Sequence, residues 1–300
     1  MNTFLERLSR PEPLVLDGAT GTEINRRGVE TTLPLWSAGA LRTHPALVRD
    51  IHIDYLRAGA DIITTNTFRT HAHNLGTMEE ARRLTRLATE LAQQAIEAVG
   101  QPAFVAGSVA PLEECYAPEL TPSEAYCQRE QARIVHDLVE SGVDLILIET
   151  MNTIYEARAA AEAARAEGMP FIVSFVLDEA GHVLSGETLP AAVESLAPLQ
   201  PAALMINCIP TRKVEEPLKR LRGLTDRPIG AYGNMGLVDD DVGWTPDENM
   251  TPAHYGHQAA IWLALGAQII GSCCGSTPAH TGALRQLVDR QYQDEHHPPR

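Results

Sequence analysis

Three hundred residues are enough for one large domain or two ordinary ones, and an apolar fraction of 44% supplies a substantial core. Against 24 basic residues stand 39 acidic ones, a formal charge of −15 that argues against nucleic acid and anionic membranes as partners and favours small cationic or zwitterionic ligands. The opening MNTFLERLSR is charged where a secretory signal needs an apolar stretch, and no run reaches the ~18 apolar residues of a membrane span. With five cysteines, an odd number, the expected setting is the cytoplasm and the expected state is reduced thiol.

Along the chain, short apolar runs alternate with longer amphipathic segments. The first run is PLVLDG at 13–18, followed by a segment at 19–45 that is long for a simple connection and could cover an opening. Leu47, Ile51 and Tyr55 then recur every four residues, a helical face closed by glycine in RAGAD at 57–61. ADIITTNTF at 60–68 and AFVAGSVAP at 103–111 are the second and third runs. TPSE, Thr121 to Glu124, has the form of a capping box with proline at the first helical position; Ile134 and Leu138 continue the helix, and ESGVD at 140–144 ends it. VDLILIET at 143–150, PFIVSFVL at 170–177, PAALMINCI at 201–209 and RPIGAYGN at 227–234 follow. A second long segment, acidic and carrying Trp244, spans 234–250. TPAH at Thr251 caps a helix containing Ile261 and Leu265, ALGAQ at 264–268 stops it, and AQIIGSCCG at 267–275 is the eighth run. TPAH recurs at Thr277, and QDEHHPPR at 293–300 has the composition of a disordered tail.

The runs are near-continuously apolar, as in parallel strands buried on both faces. Eight of them alternating with about as many helices predict an α/β fold, a (β/α)8 TIM barrel in one domain over 1–292, with 293–300 as the tail. An open doubly wound sheet is the alternative; the strand count favours closure.

In such barrels the chemistry sits where strands run into the following loops. Polar residues collect there: Asp17, Asn66 and Thr67, Ser108, Glu149, Asn207 with Cys208, Tyr232 with Asn234, and Cys273 with Cys274. Closure brings strands six and eight to within one strand of each other, so Cys208 can meet Cys273 and Cys274. Three thiolates suit zinc and leave its fourth position open for a substrate, whereas a redox pair at Cys273 and Cys274 is the competing reading. Gly271 and Gly275 flank the pair and permit the turn that would bring both side chains to one centre. Cys115 and Cys127 read as small core residues. The eleven histidines, His71, His73, His296 and His297 among them, show no metal spacing.

LDGATGTEI at 16–24, ITTNTF at 63–68, ILIET at 146–150, INCIP at 206–210 and IIGSCCGSTP at 269–278 together resemble the homocysteine S-methyltransferases. That family includes the S-methylmethionine- and betaine-dependent enzymes and the homocysteine-binding module of cobalamin-dependent methionine synthase. The resemblance covers essentially the whole chain. It implies a Zn2+ barrel that methylates L-homocysteine to L-methionine. It further implies that Cys208, Cys273 and Cys274 hold the metal, that Asp17 and Glu149 take the substrate ammonium, and that the turn Gly18, Ala19, Thr20, Gly21 takes its carboxylate. Asn66, Thr67 and Ser108 are further candidate contacts, and Asn234 matches a position that approaches the metal in the empty site.

Sulfur-rich ligation keeps electron density on an added thiolate, which suits alkylation over water activation. A cationic methyl donor fits the acidic, aromatic-bearing segment at 234–250. The chain ends soon after strand eight, which leads to the expectation of a free-standing enzyme using a small donor, S-methylmethionine first and betaine second. Two rivals from other classes are a non-catalytic homocysteine-binding module serving a partner that carries the methyl donor, and a thiol redox protein.

Overall fold

The computed structural model describes residues 3–239 and 243–296. Its eight-stranded sheet contains β1 (Leu14–Val15), β2 (Ile62–Thr64), β3 (Phe104–Val109), β4 (Leu145–Met151), β5 (Phe171–Phe175), β6 (Ala203–Pro210), β7 (Ile229–Asn234) and β10 (Ala267–Ser272). All its pairings are parallel, in the order β1-β10-β7-β6-β5-β4-β3-β2. The bridge between Leu16 and Ile62 joins the two ends and closes a (β/α)8 barrel. β8 (Gly236–Asp239) and β9 (Gly243–Pro246) form an antiparallel hairpin outside the barrel.

The period of two along each strand divides the apolar side chains into two cores. Leu14, Ile62, Ala106, Leu145, Leu147, Ile172, Ala203, Met205, Tyr232 and Ile269 fill the lumen. Their neighbours Val15, Ile63, Val105, Ile146, Ile148, Val173, Leu204, Ile206, Ala231 and Ile270 face the surrounding helices. Both faces are therefore buried, as the uninterrupted apolar runs require. Each fully buried Leu or Ile contributes roughly 1.5–3 kcal/mol.

A helix at Phe4–Leu8 plugs the lower end of the lumen, with Phe4 packed edge-on to Phe104 at 5.7 Å between ring centroids. Thr3 and Glu6 form its capping box: the Thr3 N–H donates to Glu6 Oε2 at 2.7 Å and the Glu6 N–H to Thr3 Oγ1 at 3.3 Å. The charges of the opening residues conceal this T-x-x-E signature. The box expected at Thr121 does not form. That helix, Glu124–Glu140, begins after Ser123 without a side-chain cap. The Tyr155 hydroxyl donates to the Thr121 and Pro122 carbonyls and holds the lead-in extended. Thr251 does cap its helix, accepting from the His254 N–H at 3.3 Å. Gly59, Gly142 and Gly266 take positive φ where the chain leaves a helix for the next strand.

The two long segments are structured. Residues 19–45 contain helices Thr20–Arg26 and Gly39–Thr43 and a bridge between Thr32 and Trp36; residues 234–250 contain the β8–β9 hairpin. The Trp244 side chain lies outside the described residues. The last helix runs from Pro278 to His296, overlapping the start of the segment read as a tail; 297–300, with His297, lie outside the described residues. Among the described residues, no helix is long and apolar enough to cross a membrane.

Candidate active site

The sulfurs come together. Cys208 Sγ lies 3.2 Å from Cys273 Sγ and 4.0 Å from Cys274 Sγ, and the latter two are 4.0 Å apart. Four ligands around zinc at about 2.3 Å define a tetrahedron with edges of ~3.8 Å, so the triangle already has the size of one tetrahedral face. Nothing else among the described residues forms a group of three His, Cys, Asp or Glu able to hold a metal ion.

Backbone distortion at the strand ends builds this triangle. Along β6, Ala203, Met205 and Asn207 alternate inward, so regular pleating would turn Cys208 outward. Instead Cys208 adopts φ 58°, and the ladder to β7 is irregular between Asn207 and Pro210. Such a conformation at a non-glycine residue costs of order 1–3 kcal/mol and persists only where the surroundings enforce it. Beyond β10, the Cys273 N–H donates to the Gly233 carbonyl and the Cys274 carbonyl accepts from Met235, which tie both cysteines to the end of β7. Gly275, at φ 81°, turns the chain away.

Hydrogen bonds from Cys273 and then Cys274 hold the Cys208 thiol well below its ordinary range. The same contacts push Cys273 and Cys274 well above theirs. Asn234 is 1% exposed, and neither atom of its side-chain amide has a hydrogen-bond partner. A buried amide without partners, at the end of the strand between those that bring the cysteines, fits a group completed by a ligand.

Asp17 and Glu149 lie at the same end of the barrel. Asp17 Oδ2 accepts from the Thr64 N–H and Oδ1 from the Thr64 hydroxyl, both at 2.8 Å. Glu149 Oε1 accepts from Ser108 Oγ at 2.5 Å and Oε2 from the Tyr232 hydroxyl at 3.2 Å. Burial raises both carboxyls, Asp17 to about 8 and Glu149 to about 7, although hydrogen bonds from Thr64 and from Ser108 pull the other way; the charge of Glu149 adds to the rise at Asp17. A positive charge placed beside these carboxyls would lower both.

The turn Gly18–Gly21 leads into the helix Thr20–Arg26, with Ala19 at its N-cap position. The Ala19 N–H donates to Ser276 Oγ at 3.0 Å, which joins the turn to the loop after β10. Gly21 lies beneath Trp36: a Cβ there would meet Trp36 Nε1 at 2.2 Å. Asn66 and Thr67 direct their hydrogen bonds into the fold, Asn66 to both the hydroxyl and the carbonyl of Ser37, and Thr67 to the Ser108 carbonyl. Ser108, by contrast, touches Glu149 directly. Cys115 and Cys127 are buried free thiols. His71 is buried and pushed down to about 3 by desolvation, and His73 meets Glu113 and Tyr126.

Sequence reasoning missed Thr64, Ser174, Ser276, Tyr116 and Trp36. Tyr116 lies in the loop after β3, where no periodicity marks it, yet its hydroxyl donates to the Cys208 carbonyl at 3.0 Å. Tyr232 and Asn207 stood out as polar strand ends without an assigned task.

The homocysteine S-methyltransferase family profile matches residues 14–288. Homocysteine S-methyltransferase of Escherichia coli (strain K12) is 33% identical over 313 aligned residues, which cover 95% of this chain and 98% of that protein. Selenocysteine methyltransferase of Astragalus bisulcatus is 28% identical, with 92% of this chain and 91% of that protein covered. The crystal structure of the homocysteine methyltransferase MmuM from Escherichia coli in its metallated form superposes with a TM-score of 0.82 at 31% identity, covering 93% of this chain and 98% of that one. A profile spanning nearly the whole barrel, a relative of matching length and a superposable metalloprotein agree: the chain belongs to the homocysteine S-methyltransferase family.

Proposed function

We propose that this chain is a zinc enzyme that moves a methyl group from a small sulfonium donor, S-methylmethionine, to the thiol of L-homocysteine, with methionine as product. The observation that carries this reading is the triangle of Cys208, Cys273 and Cys274 sulfurs, sized for a tetrahedral ion and grouped with no fourth His, Cys, Asp or Glu ligand among the described residues. When bound, zinc would supply the Lewis acidity that keeps an incoming thiol deprotonated near neutral pH.

The remaining work falls to the chain. Asp17 and Glu149 would receive the α-ammonium group, whose charge offsets the desolvation that holds both carboxyls partly protonated. The amides of Gly18–Gly21 would receive the carboxylate. Ser108 and Tyr232 would hold Glu149 in place so that the substrate sulfur faces the cysteines. The new sulfur–carbon bond then forms as the donor's carbon–sulfur bond breaks, in line, with the methyl carbon ~3–3.5 Å from the attacking sulfur at the start. The donor leaves as a neutral thioether, so no proton has to be delivered to it.

The test is a donor panel with purified, reduced, zinc-replete protein and homocysteine, comparing S-methylmethionine with betaine. Methionine formed from S-methylmethionine without any partner supports the reading. Binding of homocysteine without turnover of either donor refutes it, as does reduced protein that takes up no zinc. Since one relative is named a selenocysteine methyltransferase, selenocysteine belongs in the acceptor arm.

A further inference from the structure

The end of the lumen nearest the cysteines contains an amide that the chemistry above does not use. Asn207 is fully buried. Its Oδ1 accepts from the Thr150 N–H at 3.0 Å and from the Ser174 hydroxyl at 2.6 Å, and its Nδ2 donates to Thr150 Oγ1 at 2.7 Å. One side chain thus ties together the ends of β4, β5 and β6.

Two residues beside it share a conformation. Thr150 has φ 57° and Cys208 has φ 58°. Each directly follows an inward-facing polar residue, Glu149 or Asn207. Each also sits in an interrupted ladder, between Ile148 and Met151 on β4 and between Asn207 and Pro210 on β6. Neither a β-branched threonine nor a cysteine favours left-handed backbone, so something external holds them there. For Thr150 the holder is visible, because its N–H and its Oγ1 both bond Asn207. For Cys208 the preceding residue is anchored across two strands, and Tyr116 holds the carbonyl that follows.

We propose that Asn207 is a positioning residue: by keeping Thr150 and Cys208 in left-handed turns, it couples the aim of the Glu149 carboxylate to the aim of the Cys208 sulfur. The inference rests on the reading that Cys208 binds zinc and Glu149 binds the substrate ammonium. It makes the metal corner and the ammonium corner one rigid unit, in which displacement of either moves the other.

The test uses the full chain, reduced, with two readouts: zinc affinity by competition with a chromophoric chelator, and KM for homocysteine set against kcat. Asn207→Ala is expected to weaken zinc binding by about 10–100-fold, the usual cost of losing a partner behind a metal ligand. It is also expected to raise KM more than it lowers kcat. Thr150→Gly takes the left-handed turn without a Cβ penalty. Added to Asn207→Ala, it is expected to recover much of the KM for homocysteine while zinc affinity stays low. Wild-type zinc affinity in Asn207→Ala overturns the proposal, and so does a double variant without recovery of KM. Should Asn207→Ala fail to fold, Ser174→Ala removes one donor from the same Oδ1 and is expected to shift both readouts in the same direction; unchanged values overturn the proposal. The wild-type chain measured in parallel separates the two levels. If it binds no zinc, the metal reading fails and the coupling with it; if it binds zinc and Asn207→Ala binds equally, the positioning role alone fails.

Discussion

Asp17→Asn isolates a single charge. Asp17 accepts one hydrogen bond from the Thr64 N–H and one from the Thr64 hydroxyl. Asparagine reproduces both: its oxygen accepts from the N–H, and its amide donates to a hydroxyl oxygen whose proton rotates away. The variant therefore keeps the local geometry and loses the anion. If the carboxylate holds the substrate ammonium, its loss removes a charged hydrogen bond worth about 1.5–3 kcal/mol. At ~1.4 kcal/mol per factor of ten, KM for homocysteine rises roughly ten- to hundredfold, with zinc content unchanged.

The free protein responds in the opposite sense. Burial raises Asp17 to about 8 from an ordinary value of 3.8. Between those values the unfolded chain has released a proton that the native state keeps, so wild-type stability relative to the variant falls as pH rises and is lowest above about 8. The full difference is on the order of 6 kcal/mol as an upper bound. Steady-state kinetics with homocysteine as the varied substrate, and thermal melts of the ligand-free protein across that pH range, check the two arms. An unchanged KM, or a variant that melts below wild type at alkaline pH, would refute the reasoning.

Three further outcomes follow from the same geometry. L-methionine, whose thioether does not titrate, is expected to bind more tightly as pH rises through about 7 and about 8, where Glu149 and Asp17 become anionic, as calorimetry can show; pH-independent binding contradicts the ammonium assignment. Cys208→Ser is expected to lose metal and turnover while keeping the circular dichroism of the folded barrel, with an affinity loss exceeding the ~10–100-fold typical of changes behind a ligand. Gly230→Ala places a Cβ 2.3 Å from the Ile269 carbonyl and 2.7 Å from Met205 Cε, forcing β7 from β10. Overpacking of this kind costs typically 1–3 kcal/mol or more, so the melting temperature should fall clearly, and an unchanged melt would show that the strands adjust freely.

The barrel was legible because burial on both faces writes an uninterrupted apolar run, and all eight runs contain strands. Their upper ends were less legible. The second run extends to Phe68, whereas β2 stops at Thr64: the Thr65 N–H makes the last ladder bond, to the Ala106 carbonyl, and the Thr65 and Thr67 hydroxyls then bond each other and Ser108. The three cysteines could be placed in one site because strand order alone brings 208 near 273 and 274. What no spacing reports is a left-handed turn at a cysteine, or a hydroxyl such as that of Tyr116 arriving from a loop. Those depend on contacts between residues 92 positions apart, and single-chain periodicity carries no trace of them. Thr121 shows the converse: a correct local signature lost to Tyr155, which claims the backbone before it.

The thinnest part of the wall carries one more consequence. Between β1 and β2 the sheet closes through one bridge at Leu16 and Ile62, and the next rung above it is made by the Asp17 side chain on Thr64. The cylinder is therefore riveted shut by the carboxylate proposed to receive the amino acid. A change at this point that gave up the Thr64 bonds would also loosen the hoop, so the outer segments, 19–45 and 234–250, have more freedom to diverge than the rivet itself.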